Sequence, residues 1–395
     1  MIYFDNAATS WPKPPAVADA VTAQFTGAGG NPGRSGHRFS IAAARILEDA
    51  REGLATLFGV TNPGRIAFAH NATHALNLAI VGVLRPGDRV VTSGVEHNSV
   101  MRPLRHLATA GVEVVVVRCA GDGSLDVDDV ENALRGGARL LVTTHASNVT
   151  GTIMPIAELA AIARKHGVHY LVDSAQTAGT MPIDVEALGL DLLAFTGHKG
   201  LLGPTGTGGL YVREGVELAP LVRGGTGSES ANEVQPDFMP DMYESGTANV
   251  SGIAGLAAGV SFLSEVGVDA VHAHEQALVT RFLEAAATVP GITIQGPADP
   301  RRRCGIVSFT IAGVSPSEIA LLLDEPFGIM ARAGLHCAPA AHRTLGTFPA
   351  GTVRFGFGWF NTLTEVDMAV HALREIVAWS QTNPKSRNPN PNVIT

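Results

Sequence analysis

The sequence predicts an α/β fold, with a large domain built on a mainly parallel sheet flanked by helices and a smaller α+β domain at the C-terminal end. From about residue 65 to residue 215, short β-branched runs alternate with amphipathic helical patterns. Such alternation is typical of a parallel sheet whose two faces are covered by helices. The 395 residues are 45% hydrophobic and only 16% charged, so the chain has enough apolar material for a sizeable core.

Six strands are expected in the alternating region, separated by helical patterns such as those at 72–84 and 155–167. Ligands of such sheets bind at the carboxyl ends of the strands, so the residues that follow each strand are the first candidates for a site. The six strands are RIAFA (65–69), DRVVTS (88–93), VEVVVV (112–117), RLLVTTH (139–145), HYLVDS (169–174) and LLAFTG (192–197).

The pattern changes after this region in a way that indicates a second, smaller domain. We expect the large domain to span 16–260 and the smaller one 261–380, with the segment 1–15 associated with the smaller domain. Residues 381–395 are rich in Pro and Asn, lack periodicity and are predicted to be disordered. The elements expected after the large domain are a long helical region at 251–289, strands at 304–311 and 351–358, and helices near 316–324 and at 363–380.

Composition and charge argue against several classes of function. The net charge is −8 and the isoelectric point about 5.9, whereas a nucleic-acid surface requires a basic stripe. No run of about 18 apolar residues occurs, and MIYFDNAATS lacks the basic start and apolar core of a signal peptide. Cys119, Cys304 and Cys337 are widely spaced and odd in number, so no disulfide framework is expected. We predict a cytoplasmic protein that binds neither membranes nor nucleic acids.

The segment 171–212, LVDSAQTAG…DLLAFTGHKGLLGPTGTGGLYV, carries the most specific chemistry. Asp173 and Gln176 follow one expected strand, and His198 and Lys199 follow the next. An apolar, glycine-rich setting favours the neutral form of a lysine amine, which is the form that makes a Schiff base. An aspartate on a neighbouring strand end can pair with a protonated ring nitrogen. Together these residues predict pyridoxal phosphate as the cofactor.

A phosphate group requires a cradle of its own, and HNATHALNLAI (70–80) offers one. Asn71 and Thr73 stand where a strand ends and a helix begins, and free amides at a helix N-terminus suit a phosphate. Plain helix capping by either residue is the alternative. No G-x-x-x-x-G-K-[ST] motif occurs, and GPTGTGG (203–209) runs into a strand pattern, so a nucleotide-binding P-loop is poorly supported.

Two further polar residues follow expected strands. His97, in SGVEHNSV, is placed so that its imidazole can stack on the cofactor ring, although a lone histidine at such a position is more often structural. Asn148, in HASNVTGT, is a neutral donor that can reach a ring hydroxyl.

The order of these motifs resembles that of the class V, fold-type I pyridoxal phosphate enzymes, specifically the NifS/SufS-type cysteine desulfurases and selenocysteine lyases. The resemblance runs from YFDNAAT (3–9) to FNTLTEVD (360–367). It implies that Lys199 in TGHK is the Schiff-base lysine and that Asp173 and Gln176 in VDSAQ contact the ring nitrogen and the phenolic oxygen. The other cofactor contacts that it implies are His97 above the ring, Thr73 and His198 at the phosphate, and Asn148 and Thr196 in the pocket wall.

The resemblance also implies how substrate and partner subunit are bound. Arg354, in VRFGFGWFNT, corresponds to the clamp for the substrate carboxylate, with Asn148 beside it. Thr247, in YESGTANV, corresponds to a residue that reaches the phosphate bound by the partner subunit. A homodimer that acts on L-cysteine or L-selenocysteine is therefore expected.

The lone Cys337 in RAGLHCAPAAH has three interpretations: a buried hydrophobe, a metal ligand or a nucleophile. A zinc site with His336 and His342 lacks further ligands, and no metal is expected. A constrained turn is indicated by the nearby glycine and proline, and Arg332 or His336 can stabilise a thiolate there. RAGLHCA is similar to the short-loop motif R-x-G-H-H-C-A of the SufS-type enzymes, with Leu335 in place of the first His. The resemblance implies that Cys337 accepts sulfur on a mobile loop.

The sequence thus predicts a desulfurase that converts L-cysteine to L-alanine and forms a persulfide on Cys337 for transfer to an acceptor protein. One alternative is a selenocysteine lyase, in which Cys337 tunes specificity. Another is a class V aminotransferase or β-lyase, in which Cys337 is not essential. A non-catalytic sulfur-trafficking scaffold is a third, but it has no need of Lys199, Asp173 and Arg354 together.

Overall fold

The computed structural model describes residues 1–27, 29–33 and 36–382. The strands are β1 Ile2–Tyr3, β2 Ile66–Ala69, β3 Arg89–Ser93, β4 Glu113–Val117, β5 Leu140–Thr144, β6 His169–Asp173, β7 Leu192–Thr196, β8 Gly208–Val212, β9 Ile292–Gln295, β10 Ile306–Ile311, β11 Ile329–Met330, β12 Arg332–Gly334 and β13 Thr352–Gly356. The helices are α1 Pro15–Thr26, α2 Arg38–Phe58, α3 Ala72–Val83, α4 Asn98–Thr109, α5 Val127–Leu134, α6 Ile156–Lys165, α7 Val185–Leu188, α8 Val250–Val266, α9 Val268–Ala286, α10 Pro316–Asp324, α11 Pro339–Leu345 and α12 Leu363–Thr382.

The larger of the two main sheets has seven strands in the order β2-β8-β7-β6-β5-β3-β4. Strands β3 to β7 pair in parallel, which confirms the predicted mainly parallel sheet, and every predicted strand is present to within a residue or two. Strand β8 is antiparallel to both of its neighbours. No helix separates β7 from β8, and a parallel return requires such a crossover, so the chain turns back instead.

The carboxyl ends of β3, β5, β6 and β7 lie side by side in this order of strands. Strands β5 and β7 are buried along their whole length, as expected when helices cover both faces of a sheet. Residues 94–99, 145–148, 173–176 and 196–199 therefore meet at one edge of the sheet.

The smaller layer is a four-stranded sheet in the order β12-β13-β10-β9, in which all neighbours are antiparallel. Phenylalanines from α9, β10 and β13 form its core, with ring centroids of Phe282 and Phe355 5.3 Å apart. Strand β1 pairs with β11, and Phe4 packs on Phe355 at 5.1 Å. These contacts support an N-terminal segment that belongs with the smaller layer, and the domain limits given above stay a proposal.

The region predicted to be helical at 251–289 consists of two helices. Helices α8 and α9 meet at Gly267, whose φ of +86° lies in the left-handed region, and the axis bends there by 81°. Over the described part of the chain, no single helix is long and apolar enough to cross a membrane. Only the bent pair of α8 and α9 together has the length and composition of a membrane span.

The last helix is longer than predicted. Helix α12 continues to Thr382, so the first two residues of the predicted disordered tail are helical. The rest of that tail, 383–395, lies outside the described residues.

Candidate active site

A cavity of about 210 Å³ opens at the carboxyl ends of the parallel strands. It collects residues that are far apart in the sequence and that lie at or just after the ends of five strands, β2, β3, β5, β6 and β7. Among its lining residues are eight of the predicted cofactor contacts: Thr73, His97, Asn148, Asp173, Gln176, Thr196, His198 and Lys199. The rule that sites form beyond strand ends thus locates this group correctly.

Lys199 follows β7 and lines the cavity. The residue as a whole is partly exposed, but burial of its amine lowers the pKa of Lys199 to about 8. The negative charge of Asp173 opposes this shift, whereas Arg354 adds to it. The amine is therefore neutral in a substantial fraction of molecules at mildly alkaline pH, as a nucleophilic lysine requires.

The amine of Lys199 gives a pH-dependent prediction for the capture of pyridoxal phosphate. Because only the neutral amine attacks an aldehyde, the capture rate should rise with pH and level off above about 8. The measurement is the growth of visible absorbance after mixing cofactor-free protein with pyridoxal phosphate, over roughly pH 6 to 10. A rate that keeps rising toward the usual lysine pKa would contradict the lowered value.

Asp173 ends β6 with a buried carboxyl group. Its Oδ1 accepts a hydrogen bond from the Ala175 N–H at 2.9 Å, which fixes the carboxyl orientation. Burial raises the pKa of Asp173, while that hydrogen bond and the Lys199 charge lower it. A buried carboxylate of this kind is stabilised by a cation brought close to it.

His97 is both a helix cap and a cavity wall, so the two interpretations of the sequence are not exclusive. Its Nδ1 accepts a hydrogen bond from the Ser99 N–H at 3.0 Å at the start of α4. Burial, and then the charge of Lys199, lower the pKa of His97 to about 4. The ring is therefore neutral and carries its proton on Nε2.

A polar cradle lies at the start of α3, at one end of the cavity. Asn71 caps this helix by accepting from the His74 N–H at 2.9 Å, so the capping alternative holds for Asn71. The Thr73 and Ser99 hydroxyl oxygens are 2.7 Å apart, and the buried Nδ1 of His198 has no hydrogen-bond partner among the described residues. Free donors at a helix N-terminus suit an anion.

The remaining cavity residues form hydrogen bonds with backbone carbonyl oxygens of other segments. The Asn148 side-chain N–H donates to the His336 carbonyl oxygen at 2.7 Å, and the Gln176 side chain donates to the Ala7 carbonyl oxygen at 3.2 Å. The Thr196 hydroxyl lies 3.5 Å from the Thr207 carbonyl oxygen. Asn148 thereby joins the cavity directly to the segment that carries Cys337.

Arg354 lies on β13 and is 1% exposed. Its Nη1 donates to the Asn148 carbonyl oxygen at 2.9 Å, and its Nη2 donates to Asp5 Oδ1 at 3.0 Å. Its buried Nε lacks a partner among the described residues. The guanidinium is thus held against the cavity wall and already binds one carboxylate, that of Asp5.

Cys337 is exposed, which excludes the buried-hydrophobe interpretation. His336 and Cys337 have φ values of +50° and +57°, so the turn between β12 and α11 is a constrained one. The Asn98 N–H donates to the Cys337 carbonyl oxygen at 2.9 Å, and Arg332 Nη2 lies 3.8 Å from the thiol sulfur.

The expectation that His336 stabilises the thiolate by charge is wrong. Burial lowers the pKa of His336 to about 2, and Arg354 adds to the shift, so the ring is neutral. Its Nε2 pairs with the Thr352 hydroxyl at 3.2 Å. Across the residues that the structure describes, no group of three or more His, Cys, Asp or Glu side chains can hold a metal ion.

Thr247 is the one predicted cofactor contact that does not line this cavity. It lines a separate cavity with His70, His74 and Glu244, next to α2. Its predicted role concerns the site of a partner subunit, and that role stays a prediction.

Sequence reasoning missed three residues of the site. Asp5 binds Arg354, and Ser99 contacts both Thr73 and His97. Glu96 is fully buried, accepts from the Thr144 N–H at 3.0 Å and from the Ser93 hydroxyl, and has its pKa raised to about 8 by burial. All three lie inside motifs already singled out, so the available signal was their position beside assigned residues.

The family model for aminotransferase class-V matches residues 2–368. A curated relative from Methanothermobacter thermautotrophicus, named "Probable cysteine desulfurase", is 37% identical, and the match covers 95% of this chain and 94% of the relative. The chain therefore belongs to the aminotransferase class-V family, as the motif resemblance predicted, and the cysteine desulfurases are its relatives there.

Solved structures agree with this assignment. A cysteine desulfurase from Thermococcus onnurineus matches with a TM-score of 0.89 and 35% identity, over 96% of this chain and 95% of the other. The cysteine desulfurase CsdA from Escherichia coli matches with a TM-score of 0.85 and 30% identity, over 95% and 94% of the two chains.

Proposed function

We propose that the protein is a pyridoxal phosphate-dependent cysteine desulfurase that converts L-cysteine to L-alanine and leaves a persulfide on Cys337. One observation carries the proposal. The cavity that holds Lys199 and Asp173 is joined through Asn148 to the turn that presents an exposed thiol beside Arg332. An aminotransferase or β-lyase has no need of that thiol.

The residues present fit pyridoxal phosphate. Lys199 would bind the cofactor covalently. Asp173 would contact its ring nitrogen, and Gln176 its phenolic oxygen. The partnerless Nδ1 of His198 and the start of α3 suit its phosphate, since both offer hydrogen-bonding groups without protein partners. The bound cofactor would supply an electron sink for negative charge at the substrate Cα.

Three residues of the chain would carry out the other steps. Arg354 would bind the substrate carboxylate, and Lys199, once its amine is free, would move the Cα proton. The Cys337 thiolate would then attack the substrate sulfur. The carbon–sulfur bond breaks, a sulfur–sulfur bond forms on Cys337, and protonation of the substrate carbon completes the methyl group of alanine.

A homodimer is part of the proposal. The cavity lined by Thr247 also borders α2, and large apolar side chains on α1 and α2 are exposed in one chain. Phe25 is 75% exposed, Phe39 43% and Ile41 44%. Exposed apolar surface of this kind marks a protein contact.

Arg354→Lys should raise KM for L-cysteine by about tenfold to a hundredfold, because lysine has a single nitrogen and cannot keep the contacts with Asn148 and Asp5 while offering a further donor in place of Nε. Cofactor content should stay normal. Steady-state kinetics and absorbance measure the two effects separately. Arg281→Lys, at an exposed ion pair with Asp367, is the matched control and should leave KM unchanged. Unaltered KM in Arg354→Lys would make Arg354 a structural residue.

The experiment that tests the proposal is an anaerobic assay of the pure protein with L-cysteine and dithiothreitol. We expect alanine and sulfide in equal amounts. Pyruvate in place of alanine would indicate a β-lyase instead. A parallel reaction with L-selenocysteine measures the preference between the two substrates.

A further inference from the structure

A large cavity of about 710 Å³ lies next to the turn that carries Cys337 and is separate from the proposed catalytic site. Helices α4 and α11 and the end of β4 form its walls, and Cys119 lies in it. No acidic residue is found among the described residues that line it. Four arginines do line it, and together they define the arginine groove: Arg102, Arg105, Arg118 and Arg343.

The charges of the arginine groove are not neutralised within the chain. All four side chains belong to exposed residues, and none forms an ion pair with an acidic side chain of the described residues. Arg343 instead lies over the Phe348 ring at 4.6 Å. The whole chain carries a net charge of −8, so this positively charged groove differs in sign from the chain as a whole. A positive patch of this kind attracts an acidic surface.

The groove is connected to the thiol by covalent and hydrogen bonds. Pro339, two positions after Cys337, lines the groove. Asn98 also lines it, and its N–H donates to the Cys337 carbonyl oxygen at 2.9 Å. A molecule seated among the arginines therefore contacts Asn98 and Pro339, which adjoin Cys337 by a hydrogen bond and through the chain.

We propose that the arginine groove docks the acidic face of a sulfur-acceptor protein and directs that protein's thiol to Cys337. This rests on the proposed function. Four arginines, on α4, on α11 and just after β4, match a surface with several carboxylates better than a small anion, which neutralises one or two. The chain's own residues 383–395 contain Lys385 and Arg387 and no acidic residue, so they do not complement the groove.

The transfer step balances without any added oxidant or reductant. The acceptor thiolate attacks the outer sulfur of the Cys337 persulfide. The existing sulfur–sulfur bond breaks, Cys337 leaves as a thiolate, and a new sulfur–sulfur bond forms on the acceptor. Cys119 does not replace the acceptor, because burial raises the pKa of its thiol to about 11 and keeps it protonated.

Two synthetic peptides test the proposal, each with a single cysteine, one flanked by Asp and Glu and the other by Asn and Gln. Sulfur transfer to each is measured, together with binding of serine versions by fluorescence anisotropy. The variants are Arg105→Glu/Arg118→Glu and the milder Arg105→Gln/Arg118→Gln. Arg374→Glu, exposed on α12, is the matched control.

We expect the acidic peptide to accept sulfur about tenfold more efficiently than the neutral one at low salt, and salt to reduce this advantage. Both double variants should lose the advantage in transfer and in binding, whereas Arg374→Glu should keep it. Alanine formation with dithiothreitol should be the same in all variants, which also shows that they are folded.

Equal use of the two peptides, or a preference that survives in the double variants, overturns the docking proposal. Mercaptosuccinate, a small thiol with two carboxylates, is tested as an acceptor in the same way. If it accepts sulfur more efficiently than the neutral peptide, in a way that depends on the arginines, while the acidic peptide does not, the docking proposal is also overturned, because the groove would then bind a small anionic thiol. Dissociation of the parent's oligomer in the double variants would assign the groove to contacts between copies of this chain. Failure of the wild-type protein to form alanine with dithiothreitol would instead overturn the proposed function.

Discussion

Cys337→Ser should abolish sustained alanine formation from L-cysteine, with a loss of roughly a thousandfold or more, while pyridoxal phosphate stays bound. The hydroxyl of serine is a far weaker nucleophile than a thiolate and cannot take up sulfur. Cofactor binding depends on other residues, since Cys337 does not line the cavity that holds Lys199 and Asp173. Coupled alanine assays and absorbance spectra on the same samples separate the two effects.

The other two cysteines are the matched controls for this variant. Cys304 is buried and Cys119 half-buried, and burial raises the pKa of both thiols, to about 12 and about 11. Neither has the exposure of Cys337, so Cys304→Ser and Cys119→Ser should retain parental rates. If Cys337→Ser turned over L-cysteine at the parental rate, the desulfurase assignment would fail.

Lys199→Ala should remove both the covalent attachment of the cofactor and the group that moves the Cα proton. We expect the visible absorbance of bound pyridoxal phosphate to be lost, and alanine formation to fall by roughly ten-thousandfold or more. The lowered pKa of Lys199 and its position in the cavity, just after β7, are the physical reasons for this choice.

Lys165→Ala is a suitable control for Lys199→Ala. Lys165 is a largely exposed lysine at the end of α6, paired with Glu131 at 2.6 Å. It should keep both absorbance and activity, because it does not line the cavity. A Lys199→Ala protein whose spectrum matched the parent would show that another group holds the cofactor.

The sheet was predictable from sequence because its signals are local. Each parallel strand is a short, mainly apolar run that ends in or just before a polar residue, as in the stretches that close with Asp173 and Thr196. The bend at Gly267 was not predictable in the same way. One glycine within a long apolar helical pattern is compatible with a continuous helix. Whether the chain bends at that glycine depends on the packing of α9 against the smaller sheet, which a local pattern does not report.

The site follows the same division between local and distant contacts. Lys199 and His97 were predicted because they follow strands, and strand ends meet at one edge. The Asp5–Arg354 pair joins residues 349 positions apart, so no local pattern reports it. The neutral state of His336 likewise results from burial by distant segments, which is why its assignment as a charged partner of the thiol was wrong.

The arginine groove illustrates the limit of composition as evidence. A net charge of −8 suggests an acidic surface throughout, yet four arginines, on α4, on α11 and just after β4, gather beside the Cys337 turn. Their separation in the sequence hides the cluster, and only the folded chain brings them together.

The most direct test of the central claim is mass spectrometry of the protein after anaerobic incubation with one equivalent of L-cysteine and no added thiol. The proposed function predicts a mass gain of one sulfur atom on the peptide that contains Cys337, an equal amount of alanine, and reversal by dithiothreitol. Alanine formed without sulfur on Cys337, or with sulfur shared equally among Cys119, Cys304 and Cys337, would contradict it.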